Sequence, residues 1–188
     1  MALRLLEAPA VQPVSLSEAK AHCRVDHTDE DALIGSLIAA AAGHFDGASG
    51  VLGRCLVTQE WALDLDAFPE TIALPLAPVV TVDAVKYIDG TDTLQTLDAA
   101  DYVVSNGRVE AAPDTDWPVT RARQGAVTVE FTAGYGAAED VPAALKAAML
   151  LMIGHWYANR ESVIVGTIAS ELPMAVQALT TPYIFRAS

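Results

Sequence analysis

One stretch of this chain, residues 131–162 (FTAGYGAAEDVPAALKAAMLLMIGHWYANRES), constrains the fold more than any other. Hydrophobic and polar residues alternate over 127–132, which is the period of a half-buried strand. A glycine turn follows, and Pro142 then fits the first position of a helix, where its missing N–H costs nothing. The residues from Ala143 to Tyr157 are almost all apolar, so they predict a long helix that is buried on most of its circumference.

The composition of this predicted helix indicates what surrounds it. Before Tyr157 its only titratable groups are Lys146 and His155, yet it is too short for a membrane span, which needs about 20 apolar residues. One small domain rarely surrounds a helix so fully, so a neighbouring subunit is a candidate for covering part of it. The polar end of the helix has two open interpretations, ordinary helix termination or bonds across a subunit boundary. The residues concerned are Tyr157, Asn159, Arg160 and Glu161.

Two shorter helices are predicted near the start of the chain. Ser15, with Glu18 three residues later, forms a capping box, and the helix that it starts should run to about Arg24. The second helix should begin with residue 28 or 29 as its cap, because helical spacing of apolar residues follows. It should end near residues 47–50. These two helices could pack as a hairpin.

From residue 56 the hydrophobic period changes from that of helices to that of strands. Asn106-Gly107 between two short apolar runs is a strong hairpin signal. A last short helix is expected from Pro173 to about Leu179. The order of helices, strands and helices predicts an α+β fold, in which the N- and C-terminal helices form a helical bundle with an inserted antiparallel β-rich block.

The predicted domain organisation follows the same changes of pattern. The expected parts are an N-terminal arm (1–14), the N-terminal helices of the bundle (15–55), the β-rich block (56–133), the long helix and a loop (134–172), and a C-terminal segment (173–188).

Composition limits the classes of function. The formal net charge of −13 argues against wrapping nucleic acid, since such binding depends on Lys and Arg neutralising phosphates. A negative surface could instead let DNA slide past, or it could serve only solubility. Cys23 and Cys55 lack metal-ligand spacing and are expected to be free thiols. The N-terminus does not have the pattern of a signal peptide, so synthesis in the cytosol is expected.

Candidate chemistry along the chain is weak. No set of nucleophile, base and orienting group can be assembled, so no catalytic residue is expected. The acidic residues over 26–31 could bind a cation, but the start of a helix explains them better. Gly134-Tyr135-Gly136 precedes a helix, but acids rather than a lysine follow it, which favours a structural turn over a phosphate site. We therefore expect neither a cofactor nor a metal.

The last apolar residues of the chain are a candidate interaction segment. Chain ends fray unless something holds them, and aromatic residues with arginine are typical interface anchors. The segment either folds back on its own domain or inserts into a partner. Its residues are Pro182, Tyr183, Ile184, Phe185 and Arg186.

Three pieces of the sequence, in this order and spacing, resemble the head–tail connector (adaptor) proteins of tailed bacteriophages and phage-like gene transfer agents. The first is PVSLSEAKAHCRVDHTDEDALIGSLIAAA, at residues 13–41. The second is TQEWALDLDAFPETIALPLAPVVTVDAVKYID, at residues 58–89. The third combines AGYG at 133–136 with VPAALKAAMLLMIGHWYANRE at 141–161. The resemblance covers roughly residues 12–185.

The resemblance implies a structural protein rather than an enzyme. Members form a ring, commonly of twelve subunits, between the portal protein and a tail-side connector (stopper) or tail terminator, and DNA passes through the centre. It implies that residues 182–186 bind the portal and that the long helix belongs to the ring-forming bundle. The expected location is the head–tail interface of a virion or gene-transfer-agent particle, assembled in the bacterial cytoplasm without a membrane. The alternative is an assembly accessory protein or enzyme that the particle does not retain.

Overall fold

The computed structural model describes residues 1–159 and 174–186. The helices are α1 (Leu16–Cys23), α2 (Asp31–Phe45), α3 (Ala143–Ala158) and α4 (Met174–Thr180). The strands are β1 (Ala2–Glu7), β2 (Gln59–Leu65), β3 (Thr71–Ala73), β4 (Val79–Ile88), β5 (Leu94–Thr96), β6 (Tyr102–Ser105), β7 (Arg108–Ala111) and β8 (Val127–Ala133). This mixture of helices and antiparallel sheets confirms the α+β class.

The chain divides into two units, each assembled from separate segments. A sheet unit contains Met1–Ala10, Thr58–Gly134 and the described residues that follow Ile184. A helical unit contains Val11–Val57 and the described part of Tyr135–Ile184. The first ten residues therefore belong with the strands, whereas the sequence predicted a separate arm over 1–14.

The helical unit is built around one apolar core. Each helix contributes a buried face, for example Ala19 of α1, Ile38 of α2, Met149 of α3 and Val176 of α4. Helix α3 packs against α1, α2 and α4. Within α3 only Ala143 and Ala158 are exposed, so the chain itself covers most of the helix that the sequence marked as unusually apolar.

The predicted cap of α1 is confirmed, whereas α2 and α3 each begin slightly later than predicted. Pro142 is the cap residue of α3, and the helix itself starts at Ala143. Ser15 caps α1 and forms the full capping box with Glu18. Helix α2 begins at Asp31 with Glu30 as its cap residue, later than the predicted cap at residue 28 or 29. Glu30 makes no side-chain capping bond there, and its carboxylate accepts a hydrogen bond from the Tyr157 hydroxyl.

The larger sheet has five antiparallel strands in the order β1-β2-β8-β4-β5. Strand β8 lies at its centre, and its residues alternate between buried and partly buried positions as the sequence predicted. Trp61 of β2 lies opposite Phe131 of β8, and Val82 of β4 lies opposite the same phenylalanine. The edge strands β1 and β5 were not predicted, because β1 lacks strict alternation and β5 has only three residues.

The smaller sheet has three strands in the order β3-β7-β6. Its hairpin turns at Asn106-Gly107, as predicted, and both turn residues have positive φ, 51° and 73°. Two consecutive residues with positive φ match the twist of the flanking strands, which is why this dipeptide is so specific a signal.

Candidate interaction site

The C-terminal segment is held against the helical unit through Tyr183. This residue ends a short 3-10 helix (Thr181–Tyr183), and its side chain packs against the apolar core. The Arg54 side chain donates from Nε to the Tyr183 carbonyl oxygen at 2.5 Å. The same guanidinium lies 6.0 Å from the centre of the Tyr135 ring, at the outer limit of a cation–π contact. Three parts of the chain thus meet at Tyr183.

Three of the other four predicted portal-binding residues are exposed, unlike Tyr183. Pro182 and Arg186 are exposed, and 43% of Ile184 is accessible to solvent. Phe185 is half-buried. The segment therefore divides at Tyr183, with an anchored part before it and an apolar side chain open to solvent directly after it. Anchoring the base of a docking segment reduces the chain entropy that binding must overcome.

The end of α3 carries the predicted subunit-interface residues. The Tyr157 hydroxyl donates to Glu30 at the start of α2. Asn159 ends the helix, and both its backbone N–H and its side-chain Nδ2 donate to the His155 carbonyl, at 3.0 and 2.8 Å. Within one chain these two side chains close the helix end and link it to α2. Arg160 and Glu161 lie outside the described residues, so a role for the four in subunit contacts stays a prediction.

Arg54 is the residue of this site that sequence reasoning missed. It lies between α2 and β2, in a stretch without helical or strand periodicity. A lone arginine in such a stretch usually lies in solvent. Its hydrogen-bond acceptor is a carbonyl group 129 positions later in the chain, and no local sequence pattern predicts so distant a contact.

The ionisable groups of the helical unit form pairs between helices. Lys146 of α3 lies 2.7 Å from Glu18 of α1, and Lys20 of α1 lies 2.5 Å from Asp31 of α2. Hydrogen bonds from Lys146 and from Ser15 lower the pKa of Glu18 to about 2. These groups hold helices together rather than face a shared cleft.

Reactive chemistry has little support in the described part of the chain. Cys23 and Cys55 form no disulfide, and burial raises the pKa of Cys23, which disfavours the reactive thiolate. Among residues 1–159 and 174–186, no cluster of three or more His, Cys, Asp or Glu could hold a metal ion. No described helix is both long and apolar enough to cross a bilayer.

Comparison with known proteins supplies the context for these surfaces. Residues 13–169 match the family model of the head completion protein. A protein chain in the neck of an empty gene transfer agent particle, computed with C6 symmetry, is 25% identical with a TM-score of 0.78. A chain in the virion of a native gene transfer agent particle is 24% identical with a TM-score of 0.79. Both matches cover 100% of this chain and 96% of the other.

A third structure supports the same fold. It is a chain in the neck of a native gene transfer agent particle computed with C12 symmetry, at 23% identity and a TM-score of 0.71. No curated protein sequence matches the chain. The family model covers most of the chain, and the resemblance drawn from the sequence is confirmed: this chain belongs to the head completion protein family.

Proposed function

We propose that this chain is a structural adaptor at the head–tail interface of a phage or gene-transfer-agent particle. The observation that carries the proposal is the match, over its whole length, to a chain in the neck of a gene transfer agent particle. The head completion family model supports it independently. In this role the protein is a virion component rather than an enzyme. Its copies form a ring, of twelve subunits, between the portal protein and a tail-side connector or tail terminator.

The anchored tail would bind the portal protein. Ile184 is exposed directly after the fixed carbonyl of Tyr183, so an apolar side chain is presented at a defined place. Docking of residues 182–186 on each of several portal subunits would multiply a weak single contact through the ring. The helical unit would form the ring-forming bundle, with Tyr157, Asn159, Arg160 and Glu161 at a boundary between copies.

The charge of the chain suits a channel for DNA. Its net charge is −13, and a negative wall repels phosphates, so DNA would pass through the centre without binding. A channel lined by Lys and Arg would retain the DNA instead.

The test is the native mass of the purified chain, alone and after mixing with portal rings from the same source. We expect a ring of about twelve copies bound to each portal, and the same stoichiometry in purified particles. A chain that binds no portal and is missing from particles would instead be the accessory protein or enzyme considered above. Bovine serum albumin mixed with the same portal rings controls for nonspecific adsorption.

A further inference from the structure

Strand β1 is an open edge of the larger sheet. Every residue of β1 except Leu3 is exposed, and 47% of Leu5 is accessible to solvent. Among the described residues, β1 makes backbone hydrogen bonds only to β2. Natural sheets usually cover such an edge or place charges on it, because an apolar open edge pairs with strands of other chains.

A hydrogen bond between β4 and the residue before β8 determines which backbone groups of β1 face outward. The Ile88 N–H donates to the Ala126 carbonyl at 2.8 Å, so Val127 turns its backbone groups away from β4 and toward β2. In an antiparallel sheet, successive residues of a strand turn their backbone N–H and C=O groups alternately to one side and to the other. The direction at Val127 therefore fixes the direction of these groups along β8, and through the pairing of β8 with β2 also along β2. In β1 the backbone groups of Ala2 and Arg4 then face β2. Those of Leu3 and Leu5 face outward.

Strand β6 is a second open edge, on the smaller sheet. Its Val103 and Val104 are exposed, by 47% and 41%. The Ala112 N–H donates to the Asp101 carbonyl at 2.9 Å, which starts the β6–β7 ladder. By the same alternation, the backbone N–H and C=O groups of Tyr102 and Val104 face outward.

We propose that β1 of one copy pairs antiparallel with β6 of the next copy in the ring. The inference rests on the proposed ring and names one further contact between neighbouring copies, made by the sheet unit. The pairing places Leu3 opposite Val104, and therefore Leu5 opposite Tyr102. Each of these two pairs exchanges both of its outward N–H···O bonds. The unbulged part of β1, Ala2 to Leu5, is as long as β6.

The geometry of a ring selects β6 as the partner. A ring requires two different surfaces on each subunit, whereas β1 pairing with a second β1 is symmetric and closes at two copies. The other edge strands, β3 and β5, have only three residues each. Helix α3 is less open than β1 and β6, since only Ala143 and Ala158 of its residues are exposed.

Charges also match in this register. Arg4 lies opposite Val103 and diagonally from Asp101, within reach of a long side chain. Arg4 donates to Asp64 from Nε at 2.7 Å and from Nη2 at 3.3 Å. Its Nη1 has no bond within the described residues, so it can donate to an acid on another copy. Asp98 and Asp101 place negative charge beside β6.

The first test uses Leu5→Pro, with Leu5→Ala as its matched control. Proline removes the outward N–H of residue 5 and leaves the β1–β2 ladder intact, since an edge strand tolerates proline whose nitrogen faces solvent. Alanine removes the side chain but keeps the N–H. By native mass, we expect Leu5→Pro to lower the assembled fraction about tenfold or more, and Leu5→Ala to lower it much less. Equal assembly of both variants and the wild type would overturn the strand pairing.

A second test does not depend on how well the proline variant folds. Arg4→Cys and Val103→Cys are placed in one chain, and purified particles are oxidised, with the wild type as control for Cys23 and Cys55. Directly opposed residues of paired strands lie close enough for a disulfide. We expect a ladder of linked multimers. If particles contain the chain in ring stoichiometry but show no cross-links, the strand pairing is overturned and the ring is kept. If the wild-type chain is absent from particles, the proposed function itself is overturned.

Discussion

Glu18 joins the start of one helix to the side of another. Its carboxylate accepts hydrogen bonds from the Ser15 backbone and hydroxyl at 2.8 and 2.7 Å, and from Lys146 at 2.7 Å. Lys146 is the largest cause of the lowering of the Glu18 pKa, from 4.5 to about 2. Because the folded state has the lower pKa, the stabilisation is complete above about pH 4.5 and is lost as the pH falls toward 2.

We expect Lys146→Met to reduce the free energy of unfolding by about 1 kcal/mol at pH 7, and by little near pH 2. The methionine keeps the apolar stem and removes the charge. The expected loss of unfolding free energy is smaller than the pKa shift alone would give, because 40% of the Glu18 side chain is exposed and water screens its interaction with Lys146. Urea unfolding of the variant and the wild type at several pH values measures the difference.

Arg123→Met is the matched control for this prediction. Its partner Asp92 lies 3.6 Å away, and both side chains are more than half exposed, so the loss should be close to zero at every pH. A Lys146→Met effect that persists at pH 2 would show that the lysine acts through packing and not through the charge of Glu18.

At the scale of elements, two helix glycines differ in what surrounds them. Gly35 of α2 has open space where a side chain would start. Gly154 of α3 faces the His22 ring of α1, and an added Cβ would lie 3.0 Å from two ring atoms. The close approach of α1 and α3 therefore uses the missing side chain of Gly154.

These glycines give a paired prediction. Gly35→Ala should stabilise the protein by about 0.5–1 kcal/mol, since alanine restricts the unfolded chain and favours the helix. Gly154→Ala should stabilise the protein clearly less than Gly35→Ala, or destabilise it, because the His22 ring must shift. Chemical denaturation of the two variants in parallel compares them, and equal gains would mean that the ring moves aside without cost.

The anchored tail gives a prediction about Arg54. Replacing it with alanine removes the donor to the Tyr183 carbonyl, so the amides of Tyr183 and Ile184 should exchange with solvent faster. The amides within α2 and α3 should exchange at unchanged rates. Hydrogen exchange followed by mass spectrometry measures both, and Arg54→Lys should show part of the effect because it keeps the charge but not the Nε donor. Unchanged exchange at the tail would remove Arg54 from the anchor.

The elements differ in how far sequence predicts them, for physical reasons. Strong local signals succeeded: the capping box at Ser15 and the turn at Asn106-Gly107 are set by neighbouring residues. Pro142 marked the start of α3 to within one residue. Strand β1 was not predicted because its residues do not alternate strictly between apolar and polar. The cap of α2 was misplaced because Thr28 and Asp29 are common cap residues, whereas Glu30, the actual cap residue, is not.

For the whole molecule, the division of the tail at Tyr183 leads to a truncation experiment. Removing residues 184–188 leaves the Tyr183 ring in the core and its carbonyl on Arg54, so the helical unit should fold as before. Joining of heads to tails should be lost, because the exposed Ile184 is gone. Complementation of particles that lack the chain, scored by electron microscopy, measures joining. Normal joining of heads to tails by the truncated chain would contradict the proposed portal-binding role of the tail.

The candidate site as a whole was only partly predictable. Sequence identified residues 182–186 from their apolar and aromatic character, and the structure adds which of them are anchored and which are exposed. The sequence did not reveal Arg54, because the contact that Arg54 makes joins two segments that are distant in the chain. Nor did it reveal the open edges β1 and β6, since the freedom of an edge depends on which strands pair beside it.

The interleaving of the two units sets the order in which the chain can fold during synthesis. Strand β1 leaves the ribosome first but waits for β2, and the larger sheet closes once β8, ending at Ala133, has emerged. Helices α1 and α2 wait longer, because α3 starts only at Ala143. Their faces toward α3 therefore stay uncovered until that helix has emerged, and a chaperone that binds the nascent chain would find them exposed during that interval.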